Sequence, residues 1–88
     1  RDLNILISQS YSYAEIETAL LNSKIKFLHS LALANTFEGN GIPDGSISMT
    51  LRFMFQSPSK SLQESEINES MDYAFSLLNK ALNAKIRS

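Results

Sequence analysis

Between Ile47 and Gln56 the chain alternates without a break. Ile47, Met49, Leu51, Phe53 and Phe55 fall on one parity, and Ser48, Thr50, Arg52, Met54 and Gln56 on the other. A period of two puts one set on a buried sheet face and the other on an open one. This stretch is therefore a strand with one wet side, and Pro58, which has no N–H for a ladder, ends it. Just before it lies "FEGNGIPDGS", which holds all three glycines and one of the two prolines. Glycine supplies positive φ without steric cost and proline presets a turn. The strand is thus hairpinned to the apolar run "FLHSLALA" that precedes it.

The other elements obey the same periods. Leu3, Ile5 and Ile7 alternate with Asp2, Asn4, Leu6 and Ser8, a half-buried first strand. Ser12 and Glu15 form a capping box, Tyr11 can staple onto Ile16, and Ile16, Ala19, Leu20 and Ser23 share one face. A helix is expected from about residue 13 to 22, and then an extended run from about residue 24 to 37. Ile67, Met71, Ala74, Phe75, Leu78 and Leu82 form the apolar stripe of a second helix, from about residue 63 to 83. Ser61 with Glu64 offers it another capping box, and "AKIRS" suits one short closing strand. The order βαββαβ predicts the α+β, ferredoxin-like sandwich: a four-stranded antiparallel sheet with two helices on one face. Its other face must meet water, a partner domain or a ligand.

The 88 residues make one domain, read as residues 1–88 of a longer chain because an apolar strand starts directly after Arg1. The absence of cysteine suits a reducing cytosol and gives no thiolate metal site. No apolar run approaches the ~20 residues that span a bilayer. The net charge of −1 points to no polyanion. Its distribution says more. Glu15, Glu17, Glu64, Glu66, Glu69 and Asp72 fall in the helices, whereas Lys26, Arg52, Lys85, Arg87 and Arg1 fall in or beside strands. An acidic back and a more basic front result, unless these are ordinary solvated faces.

Catalytic patterns are missing. His29 is the lone histidine and no triad pattern surrounds it. No phosphate-binding glycine loop comes after a strand. Glu64, Glu66 and Glu69 complement the dipole of a helix start rather than gather a metal. Acylphosphatases share the architecture, but their phosphate loop needs an arginine where this chain has "SQSYS". The RNA-recognition motif needs aromatics on the open face of its third strand. Here Phe53 and Phe55 share the core parity.

"RDL" opening a strand, "GNGIPDG" after the second, "SMTLRFMFQSPSKSL" and "EIN" in the last helix stand in a specific order and spacing. In these the chain resembles the ferredoxin-fold anticodon-binding domain at the C-terminus of the phenylalanyl-tRNA synthetase beta subunit, over nearly its whole length. A single-chain organellar synthetase also ends in this domain. The resemblance implies a cytoplasmic tRNA-binding module that positions tRNA(Phe) and reads the first anticodon base, a guanine. It implies no catalytic site and no cofactor in this stretch. ATP and magnesium belong to the parent ligase, whose other beta-subunit domains and alpha subunit, in a heterotetramer, are the further partners.

The family pattern before the glycine turn is Leu-Phe-Asp-x-Tyr, with a serine on the next strand. Carried over, the aspartate is Asn35, the tyrosine is Phe37, the phenylalanine is Ala34, and the serine is Ser48. Phe37 keeps a face on which a base can stack. Asn35 replaces a charged acceptor by a neutral one, which weakens a bond to a guanine amino edge. Arg52 is expected to contact phosphate, and Lys26 and Arg87 are further candidates for such contacts. The turn's small residues would let RNA backbone come close.

Asn35 and Phe37 share a strand face, but Leu31 and Leu33 have the same parity. Either a bulge near Ala34 shifts the register, or a neighbouring domain covers part of the open face. Phe37 is either a turn-packing aromatic or a ligand contact. The rival function is a regulatory or protein-interaction domain of the same fold that buries its sheet face by dimerising.

Overall fold

The computed structural model describes residues 1–87. The elements run β1 (Asp2–Ser8), α1 (Tyr13–Leu21), β2 (Leu28–Phe37), β3 (Ser46–Phe55), α2 (Glu64–Leu82) and β4 (Lys85–Ile86). The strands form one sheet in the order β2-β3-β1-β4, every neighbouring pair antiparallel. This is the ferredoxin-like arrangement, with β3 inserted between the two strands that α1 connects.

The alternation of β3 sets the layers. Met49, Leu51 and Phe53 are buried beside Ile5 and Ile7 of β1, Ile16 and Leu20 of α1, and Ala74 and Leu78 of α2. Both helices thus cover one face, and Phe53 stacks on Phe55 at 6.2 Å along that face. Helix α1 begins as its sequence dictates: the Glu15 N–H donates to Ser12 Oγ at 3.2 Å, and the Ser12 N–H to the Glu15 carboxylate at 3.1 Å.

Helix α2 is capped differently from the expected Ser61–Glu64 box. Gln63 is its N-cap, and its N–H donates to the Glu66 carboxylate at 3.0 Å. Glu64 instead pairs with the Arg1 guanidinium. Lys60, and then the Gln63 N–H, hold the Glu66 carboxyl below the usual carboxylate range.

The extended run expected from residue 24 is also corrected. Lys24 and Phe27 take positive φ, +53° and +64°, and β2 starts only at Leu28. Long-range bonds hold this turn: Ser70 Oγ donates to the Lys26 carbonyl at 3.0 Å, and the Gln56 N–H to the Phe27 carbonyl at 2.9 Å. A left-handed phenylalanine is costly, so such contacts are needed to fix it.

Strand β2 carries two register shifts against β3. Leu28 pairs with Phe55 and Ser30 with Met54, which leaves His29 extra; Leu33 pairs with Leu51 and Asn35 with Thr50, which leaves Ala34 extra. Each bulge reverses the parity of the residues beyond it. Of the two explanations open for the clash between Leu33 and Asn35, the bulge at Ala34 is present. Leu31 and Leu33 lie opposite Phe53 and Leu51 on the core side. Asn35 and Phe37 lie opposite Thr50 and Ser48 on the open side.

In the turn between β2 and β3 all three glycines have positive φ, and Ile42 folds back into a buried position. A Cβ added at any of them meets nothing within 4 Å. Backbone conformation, not crowding, calls for glycine here.

Candidate functional site

The open face is built from the wet parity of each strand. Across β1 and β3 the opposed residues are Asp2 with Arg52, Asn4 with Thr50, Leu6 with Ser48, and Ser8 with Ser46. Strand β2 adds Ala32, Asn35 and Phe37, and β4 adds Lys85 opposite Leu6. Two rows result at the turn end of the sheet. One runs Asn35, Thr50, Asn4, closed by Thr50 Oγ1 donating to Asn4 Oδ1 at 2.7 Å. The other runs Phe37, Ser48, Leu6.

Phe37 is 43% exposed although flanked by the glycine turn, so its ring is a platform rather than a core filler. Ser48 beside it is only 3% exposed. Its buried hydroxyl accepts a long bond, 3.4 Å, from Arg87 Nη1. The Arg87 guanidinium carbon stands 5.4 Å from the centre of the Phe37 ring, within cation–π range. Arg87 reaches this place because its backbone N–H donates to the Asn4 carbonyl at 3.0 Å, carrying the β4–β1 pairing one residue past β4.

The structure therefore brings Asn35, Phe37 and Ser48 together. Arg52 stands apart, four residues along β3 and so roughly 13 Å from Ser48. Its guanidinium grips Asp2 at two points, Nε to Oδ1 at 2.9 Å and Nη2 to Oδ2 at 3.1 Å. The pair holds the Asp2 carboxyl below, and the guanidinium above, its ordinary value. Lys26 is not on this face at all. It lines a groove with Lys24, Phe27, Glu66, Glu69, Ser70 and Tyr73. That groove is roughly 30 Å from Phe37 along β2.

Sequence reasoning offered Arg87 as a further phosphate contact, whereas the fold places it over Phe37. No local pattern signals this, since the two residues meet only through the strand order. The one legible hint is parity: Arg87 continues the open-face alternation from Lys85.

Among the described residues no group of three or more His, Cys, Asp or Glu gathers where a metal ion could sit. Asp2, Glu64 and Glu66 are each engaged by a cation. The face offers stacking, neutral hydrogen bonding and two guanidinium groups. No helix among the described residues is long and apolar enough to cross a membrane.

Comparison with known proteins places the chain in a family. A family model described as the ferredoxin-fold anticodon binding domain matches residues 1–87. The chain is 32% identical over 87 residues to the phenylalanine–tRNA ligase beta subunit of Streptococcus agalactiae serotype Ia. It is 31% identical to the protein of that name from Bacteroides thetaiotaomicron and 30% to that from Syntrophotalea carbinolica, again over 87 residues. Each match covers 99% of this chain and 11% of the relative, so the chain spans about a tenth of the length of these curated relatives.

Proposed function

This chain belongs to the ferredoxin-fold anticodon-binding domain family, and from that premise we propose that its open sheet face binds the anticodon stem-loop of tRNA(Phe). It does so as part of a phenylalanine–tRNA ligase beta subunit. The observation that carries this reading is the bulge at Ala34, which turns Asn35 and Phe37 to the side of Ser48. An exposed ring, an amide and a hydroxyl within one patch suit a single unstacked base.

The first anticodon base stacks on Phe37, and Asn35 and Ser48 meet its edge. Arg52 remains a backbone contact, weakened by the carboxylate it already holds. The domain orients the tRNA and contributes to discrimination; it performs no chemistry. ATP and magnesium act in the rest of a cytoplasmic ligase, whose beta subunit joins an alpha subunit in a heterotetramer.

A fluorescence titration of a tRNA(Phe) anticodon stem-loop tests the reading, with wild type, Phe37→Ala and Ser48→Ala. Loss of the Phe37 ring is expected to weaken binding by roughly five- to hundredfold, from ~1–3 kcal/mol of stacking. Binding should fall steeply with salt as counterions are displaced. Equal binding by all three proteins removes Phe37 and Ser48 from the interface. A chain that ignores RNA even at low salt, and dimerises through this face, is instead a protein-interaction domain.

A further inference from the structure

Arg87 is the candidate that the proposed base site does not use. We infer that Arg87 is the second jaw of that site: its guanidinium closes over Phe37 in the free protein and over the stacked base in the complex. The inference rests on the anticodon-binding reading and names a residue that would act in it.

Three observations place Arg87 there. Its backbone N–H donates to the Asn4 carbonyl of β1 at 3.0 Å, which ties this residue to the sheet. Its guanidinium carbon lies 5.4 Å from the Phe37 ring centre. Its only side-chain hydrogen bond among the described residues is the 3.4 Å one to Ser48. Arg1, Arg52 and Lys60 each hold a carboxylate, whereas Arg87 is in none of these ion pairs. An anchored backbone with a lightly held head is what a hinged jaw requires.

The spacing defines the movement. Two stacked layers need about 3.5 Å each, so a base between ring and guanidinium needs about 7 Å. The guanidinium carbon stands 5.4 Å from the ring centre, any sideways offset included, which is already less than that. The head must therefore lift, and lifting breaks its long bond to Ser48. The freed, otherwise buried hydroxyl then faces the incoming base edge. Closing over the base restores a planar cation on a π face, a contact that arginine makes with nucleobases as well as with aromatic side chains. Arg87 thus protects Phe37 and Ser48 when no RNA is bound and grips the base when it is.

This role differs from a phosphate contact in measurable ways. The experiment is titration of wild type, Arg87→Ala and Arg87→Lys with two stem-loops, one intact and one abasic at the first anticodon position, each over a range of salt. Arg87→Ala is expected to weaken binding of the intact stem-loop by about 2- to 30-fold. Arg87→Lys should recover little of this, because the charge is kept and the plane is lost. On the abasic stem-loop all three proteins should bind alike.

Equal losses on the two stem-loops, a log–log salt slope reduced by about 0.7, and rescue by lysine would make Arg87 a phosphate contact and overturn the inference. Unchanged or tighter binding by Arg87→Ala would overturn it as well. Wild-type protein that binds neither stem-loop at low salt defeats the anticodon-binding reading itself, and the inference falls with it. Arg87 is exposed, so matched melting curves of the three proteins check that each is folded.

Discussion

Asp2 and Arg52 stand opposite each other on β1 and β3 and close a two-point ion pair on the open face, at 2.9 and 3.1 Å. The pair ties one of the face's cations to a carboxylate from its own sheet. Asp2→Asn is therefore expected to tighten stem-loop binding and to steepen its log–log salt dependence by about 0.7, one more phosphate neutralised. A titration at several salt concentrations reads both effects. Arg52→Ala should change affinity little in wild type and more in Asp2→Asn.

The same pair fixes a pH response. Arg52 holds the folded-state pKa of Asp2 below its ordinary 3.8. The contribution of a depressed carboxyl is present above its unfolded pKa and is lost as pH falls through the folded value. Arg52 thus stays masked from neutral pH down to about pH 4, and is released only in stronger acid. Stem-loop affinity of Arg52→Ala relative to wild type should accordingly stay constant between about pH 5 and 8.

Asn35 sets the acceptor strength of the proposed base site. Asn35→Asp replaces a neutral acceptor by a charged one, a gain of about 1 kcal/mol for a bond from a guanine N–H. The ratio of affinities for stem-loops with guanine and adenine at the first anticodon position should rise about fivefold. The comparison within one protein cancels the repulsion that the new charge adds for every RNA.

Gly45 has φ of +83° with nothing within 4 Å of an added Cβ, and its carbonyl accepts the Gln9 N–H at 2.9 Å. Gly45→Ala should cost about 1–2 kcal/mol of stability through backbone strain alone. Chemical denaturation measures that cost. Unchanged stem-loop affinity in the same variant would show that the turn shapes the hairpin and does not receive RNA backbone.

The buried Tyr13 hydroxyl has the Glu17 carboxylate near it but no hydrogen bond of good geometry among the described residues, and burial first, then Glu17, pushes its phenol up to about 12. A buried polar group without a good hydrogen bond lowers stability. Tyr13→Phe is expected to keep the fold and to gain up to about 1 kcal/mol, read as a higher denaturation midpoint at unchanged slope.

The sequence by itself determined the order of elements, the core side of β3 and the start of α1. Each of these is local: strand alternation needs only successive residues, and the Ser12–Glu15 cap closes within one turn. It also located the conflict between Leu33 and Asn35 without resolving it. Tertiary structure decided the rest. The bulge at Ala34 depends on how β2 pairs with β3, and the left-handed turn at Phe27 is pinned by Ser70 and Gln56 from distant elements. Asp2 meets Arg52, and Arg87 meets Phe37, across 50 residues in each case. Register and long-range pairing are settled by the packing of the whole sheet on its helices, a balance that no short window of sequence contains.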